Sequence, residues 1–188
     1  MRHTLSKHLP TVAALAAVAV LSACASRPAM QAKPFDQSAL PAAVQVPAGN
    51  AVSLETVGAG TITYECRAKA NTADQFEWVF VGPDAKLMDR AGKQIGTYYG
   101  PPATWQSQDG SKITGAQLAV APARAGAIPL QLVKANPAMG DGAMKGVSYI
   151  QRVATLGGVA PAKPCNAGAV GSKEIVTYKA DYIFWRAV

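Results

Sequence analysis

The sequence predicts an all-β domain, an antiparallel β-sandwich or barrel holding one disulfide. Three observations predict it. Short stretches alternating apolar and polar residues recur between clusters of Gly, Pro, Asp and Asn, which is strand chemistry interrupted by turn chemistry. The 17 glycines and 13 prolines are spread along the chain, and no sustained helical apolar period survives between them. Two cysteines, Cys66 and Cys165, bracket most of this patterned stretch.

Ahead of it, residues 1–23 have the pattern of an export leader. Arg2, His3, Lys7 and His8 give a basic start. Thr11–Leu21 is an apolar run too short to span a bilayer as a permanent helix. Leu21-Ser22-Ala23-Cys24 then resembles the bacterial lipoprotein box, in which the cysteine becomes an acylated N-terminus. That resemblance implies fatty acyl groups on Cys24, and several chains together anchor almost irreversibly. Ala25 stands where an inner-membrane retention signal carries aspartate, so the expected location is the outer membrane, on its periplasmic or cell-surface face. Residues 24–43 are rich in Ala, Ser, Pro and Gln and read as a flexible linker. Phe35 is its one aromatic residue, placed to dock on the domain.

The folded domain is expected over residues 44–188, about 140 residues, enough for a single core. Val44–Pro47 opens it as an edge segment, because Pro47 donates no ladder hydrogen bond. Ala51–Val57 is a first strand, Gly58-Ala59-Gly60 a turn, and Thr61–Ala68 a second strand with Ile62, Tyr64 and Cys66 on one face. Gln75–Val81 follows, with Phe76, Trp78 and Phe80 at period two, a core pattern rather than a binding platform. Gly82-Pro83-Asp84 reads as a turn. Two loosely similar hairpins come next, around Asp89-x-x-Gly92 and Asp109-Gly110, the latter a strong hairpin dipeptide because its turn needs positive φ. Later strands are read at Gly115–Val120, within Ala127–Ala135, at Val147–Ala154 and at Glu174–Trp185, with Asn136–Gly146 a mobile loop.

The net charge of +7 falls to +5 once Arg2 and Lys7 leave with the leader. This balance suits an anionic surface or simple solubility. No basic run of five residues exists, which argues against a nucleic-acid partner. In an exported domain Cys66 and Cys165 are expected to pair, which would stabilise the fold by up to roughly 4.7 kcal/mol in the chain-entropy model. Two free thiols or a metal pair are the alternatives. Both histidines, His3 and His8, belong to the leader, so residues 24–188 lack the imidazole of hydrolase triads and common zinc sites. No nucleotide, cofactor or calcium motif is found. Neither a cofactor nor a metal is expected, and no residue is assigned as catalytic.

The remaining chemistry lies in carboxylates and one aromatic corner. Glu65, Glu77, Asp84, Asp89, Asp109 and Asp181 are the carboxylates from which a glycosidase pair would be drawn. Asp84, Asp89 and Asp109 stand in turn contexts, where aspartate normally caps backbone. Tyr98, Tyr99 and Trp105, beside Gly100-Pro101-Pro102, form with Asp109 the candidate ligand-binding set for a carbohydrate or peptide. The alternative for that corner is a packed hairpin.

Several segments carry a resemblance. They include Val46-Pro47-Ala48-Gly49, Tyr64-Glu65-Cys66, Phe76-x-Trp78-x-Phe80-x-Gly82-Pro83-Asp84-Ala85-x-Leu87 and Trp105-x-x-x-Asp109-Gly110-Ser111. Tyr149-Ile150-Gln151-Arg152, Thr155-x-Gly157-Gly158, Cys165 and Tyr178-x-Ala180-Asp181-Tyr182 continue it in order. Together they resemble the domain of unknown function 3455, a family of secreted bacterial and fungal proteins. The resemblance implies that Cys66 and Cys165 are the family's cysteine pair, and it implies no activity. The expected function is a lipid-anchored envelope protein, acting as a non-catalytic binding or structural module. Its partners would be the membrane, through Cys24, and a glycan or another envelope protein. A carboxylate-dependent glycan hydrolase and a purely structural partner of an envelope protein are the rivals.

Overall fold

The computed structural model describes residues 35–72 and 74–188. The leader, Cys24 and the first part of the linker lie outside the described residues. Eight strands follow one another: β1 (Asn50–Ala68), β2 (Phe76–Met88), β3 (Gln94–Tyr99), β4 (Thr104–Ser107), β5 (Lys112–Ala121), β6 (Leu130–Ala135), β7 (Val147–Gly157) and β8 (Lys173–Ala187). Each pairs antiparallel with the next, and β8 pairs back onto β1, so the sheet closes into an up-and-down barrel. Of the two architectures allowed by the strand pattern, the chain takes the barrel, which removes the edge problem of an open sheet. The turns β1–β2, β3–β4, β5–β6 and β7–β8 form one rim, the upper, and the remaining turns with the start of β1 and the end of β8 form the lower rim.

Two expected turns are strand interior. Gly58-Ala59-Gly60 lies in the middle of β1. A Cβ on Gly58 would stand 2.5 Å from the Tyr182 ring, and one on Gly60 would stand 2.1 Å from the Asp84 carbonyl oxygen. These glycines admit neighbours into the wall rather than reversing the chain. Gly82-Pro83-Asp84 likewise continues β2. The register slips there, Thr63 facing Gly82 while Tyr64 faces Phe80, so Val81 is the extra residue of a bulge. Pro83 is tolerated because the ladder with β3 begins only at Asp84. The expected aromatic core of Phe76, Trp78 and Phe80 holds only in part: Trp78 packs against the core, whereas Phe80 is 51% exposed at the upper rim.

Inward-facing Ile62, Leu87, Tyr98, Trp105, Ile113, Val133, Ile150, Tyr182 and Phe184 fill the barrel, as eight strands require. Met144 plugs the lower rim from the β6–β7 loop and is 1% exposed, so that loop is pinned and not free as its composition implied. At the upper rim Cys66 and Cys165 form the disulfide, with Cα atoms 5.5 Å apart, tying the end of β1 to the β7–β8 loop.

A second cluster covers the outside of β5–β8. Val44, Val46, Leu132, Val153, Ile183 and Trp185 are buried there, with Phe35 and Leu40 packed on them. Phe35 meets Trp185 edge-on, ring centroids 6.2 Å apart. Residues 35–43, assigned by composition to the flexible linker, are therefore part of the folded body, and Val44–Val46 is a buried strap rather than an edge segment. One buried side chain fastens it: Gln151 donates to Gln37 Oε1 (3.0 Å) and the Val44 carbonyl (2.7 Å) and accepts from Trp185 Nε1 (2.8 Å).

Candidate functional site: the barrel mouth

The β3–β4 hairpin is shorter than its neighbours. β2 has no ladder with β3 above Asp84. β4 meets β5 only through Thr104–Gln106, leaving Gly115–Ala121 paired with β6 alone. The wall is therefore low on this side of the upper rim. Behind it lies a cavity of about 200 Å³ lined by Phe80, Tyr98, Ala103, Trp105, Gly115, Gln117, Gln131, Val133 and Arg152. A barrel mouth is a common place for a ligand because scaffold strands hold the lining rigidly.

Each lining group has a structural origin. Tyr98 and Trp105 are direct partners across β3 and β4, and their rings stack with centroids 4.7 Å apart and planes at 20°. Tyr182 of β8 packs against both, at 4.9 and 5.8 Å. Beneath them the Tyr178 and Tyr182 hydroxyls meet at 3.2 Å. Burial pushes the Tyr98, Tyr178 and Tyr182 phenols above their ordinary values, and the Arg152 charge pulls each of them partly back. Among the described residues the buried Trp105 Nε1 has no hydrogen-bond partner, an arrangement that costs about 1–3 kcal/mol and is seldom kept in a plain core. On the opposite side, Val120, Gln131, Arg152 and Tyr182 form one inward row across β5–β8. Gln131 Nε2 donates to Gln117 Oε1 at 2.6 Å. Arg152 donates through Nε and Nη2 to the Pro129 carbonyl, at 3.2 and 3.0 Å.

Of the four candidate ligand residues, the fold brings two together here, Tyr98 and Trp105. Tyr99 has the opposite parity and its hydroxyl donates to Gln106 Oε1 at 2.8 Å. Asp109 sits at the lower rim, where its carboxylate accepts from Ser111 N (2.9 Å), Ser111 Oγ (2.6 Å) and Ala143 N (2.7 Å). The Ser111 hydroxyl, with the Ala143 and Ser111 amides, holds the Asp109 carboxyl down to about 2. Sequence reasoning missed Arg152, Gln117 and Gln131. One signal was readable: Arg152 shares its strand parity with Ile150 and so stands on an apolar face.

None of the six carboxylates considered lines the mouth. Glu65 pairs with Arg67 at 2.9 Å. Asp89 caps its own turn through Ala91 N and Lys93 N. Asp181 and Glu55 share Arg90 on the wall, at 2.7 and 2.8 Å. Among the described residues no group of three His, Cys, Asp or Glu is arranged to hold a metal ion. A larger groove of about 590 Å³ lies between the strap and the wall, lined by Leu40, Pro41, Pro122, Arg124, Leu130 and Thr155 among others. It has volume and apolar surface, but it lacks the convergent rings and amides of the mouth.

The family described as Protein of unknown function (DUF3455) matches residues 47–186, most of the chain, from before β1 to Arg186 near the end of β8 and without the strap of residues 35–46. The chain belongs to this DUF3455 family. Its sequence segments of resemblance thus map onto the barrel of a DUF3455 protein: Tyr64 and Cys66 on β1, Trp105 on β4, Arg152 on β7, and Tyr182 on β8. No curated protein and no solved structure matches the chain.

Proposed function

We propose that this DUF3455 protein is a lipid-anchored envelope module that binds, without chemical conversion, a small ring-shaped ligand such as a sugar residue in the barrel mouth. The reading is supported above all by the Tyr98–Trp105 stack, set in a low-walled cavity beside the Gln117–Gln131 amides. Tyr98 and Trp105 are themselves buried and, with the exposed Phe80 ring, give the cavity an apolar aromatic lining for a ring, while the amides offer both donors and acceptors to its hydroxyls. A hydrolase would need two carboxylates flanking the bond to be cut, and the mouth supplies neither. The export leader and the Leu21–Cys24 box support acylation of Cys24 and an outer-membrane location.

Titration calorimetry of the detergent-solubilised full chain against a panel of mono- and oligosaccharides tests the site. Gln117 is exposed, so Gln117→Ala should leave the barrel folded while weakening binding several-fold. Equal binding by wild type and variant would remove the mouth from the account. Cys24→Ser should move the protein from the membrane fraction to the soluble fraction, and retention in the membrane would remove the anchor.

A further inference from the structure

Arg152 is a guanidinium on an inward strand position, half-buried among tyrosines. A charge brought out of water calls for a partner. Outward-facing Arg67 and Arg90 have theirs in Glu65, Glu55 and Asp181. Arg152 has only the Pro129 carbonyl, a neutral acceptor, and no carboxylate of the described residues pairs with it. Among the described residues its Nη1 and the Gln117 amide nitrogen have no acceptor. The charge partly offsets the upward push of burial on the Tyr98 phenol, which lines the cavity, and on the Tyr64, Tyr178 and Tyr182 phenols of the core.

We infer that Arg152 makes the mouth selective for a six-membered ring bearing a carboxylate, the ring lying on the aromatic wall and the carboxylate on the guanidinium. This rests on the binding reading above and adds the ligand's charge to it. The fit is chemical and steric together. A guanidinium accepts a carboxylate through charge-assisted hydrogen bonds. A space of about 200 Å³ holds one ring with its substituents rather than an extended chain. A uronic acid unit of an acidic glycan and an aromatic acid share this chemistry.

The test uses the detergent-solubilised full chain and four probes: sodium glucuronate, glucose, sodium benzoate and benzyl alcohol. In wild type each acid should bind at least tenfold more tightly than its neutral counterpart, and the stronger acid arm separates a sugar source from an aromatic one. Arg152→Gln should bring the acid-to-neutral ratio to near one, and Arg152→Lys should keep part of the preference. Raised salt should weaken the acid arms alone. An acid-to-neutral ratio near one in wild type overturns the inference whether or not the variant folds, and so does an Arg152→Gln variant that keeps its preference. Binding of neutral rings without charge preference sinks only this inference, whereas binding of none of the four probes sinks the mouth reading as well.

Discussion

The two faces of the β6–β8 wall are both buried, and for different reasons. Inside, Val133, Ile150, Tyr182 and Phe184 pack against the far wall of a closed barrel. Outside, Leu132, Val153, Ile183 and Trp185 are covered by a strap of the same chain, residues 35–46. The interior is held by shape, because below the mouth an eight-stranded bore is just wide enough for side chains to fill it. The exterior adds hydrogen bonds to its apolar cluster, centred on the buried Gln151, whose amide satisfies Gln37, Val44 and Trp185 at once. A non-polar bore and a hydrogen-bonded lid should fail in different ways.

The largest expected effect is on the bore. Phe184 is fully buried within the barrel, and Phe184→Ala removes packing that the surrounding wall cannot refill. A loss of about 3–5 kcal/mol is expected, a large part of the typical 5–15 kcal/mol of a folded domain. Denaturant unfolding should show one transition shifted to a lower midpoint. A shift below about 1 kcal/mol would mean that the bore is not the stabilising element.

A smaller and more local effect is expected at the strap. Gln151→Leu keeps the volume but leaves the Trp185 indole N–H and the Val44 carbonyl without their partner, a loss of about 1–3 kcal/mol, while Gln37 keeps its bonds to Val46. Release of the strap returns the Val44 and Gln37 groups to water, so the damage should be capped there. Hydrogen exchange should rise over residues 35–46 while β1 and β8 keep their protection. Equal loss of protection in both regions would show that strap and bore form one cooperative unit, and the contrast drawn here would fall.

The contrast also explains what was legible in the sequence. Alternation exposed the bore: Ile62, Tyr64 and Cys66 point inward as their parity predicts, and so do Tyr178, Ala180, Tyr182 and Phe184. Alternation was silent about the strap, because the segment before Val44 has the composition of a spacer and docks through isolated Phe35 and Leu40 and the Gln37 amide rather than through a periodic apolar stripe. Glycine misled twice. At Gly58 and Gly60 it serves close approach of Tyr182 and Asp84 within a strand, and a local reading of turn residues has no access to a partner more than twenty positions away. At the site, the aromatic pair was visible because Tyr98 and Trp105 are local. Arg152, Gln117 and Gln131 come from three other strands and converge only once the barrel closes.

The smallest expected effect concerns the lower end of the bore, where Asp109 ties the β4–β5 turn to the loop carrying Met144. Its carboxyl is held down to about 2 by the Ser111 hydroxyl and the Ala143 and Ser111 amides, against about 3.9 in an unfolded chain. The folded state therefore favours the charged form. This contribution is complete above the unfolded value and is lost as pH falls from about 4 through about 2. Asp109→Asn keeps one carbonyl acceptor but not the charge, so the variant should melt below wild type at pH 6, and the gap should close over that acid window. Thermal melts of the pair at several pH values between these limits measure it. Because Met144 plugs the bore from the same loop, the acid loss should also raise exchange at residues 139–146 before any change at the strap. A gap in melting temperature that stays constant down to pH 2 would assign Asp109 a steric role instead, and the lower end of the bore would then be held by packing like the rest of it.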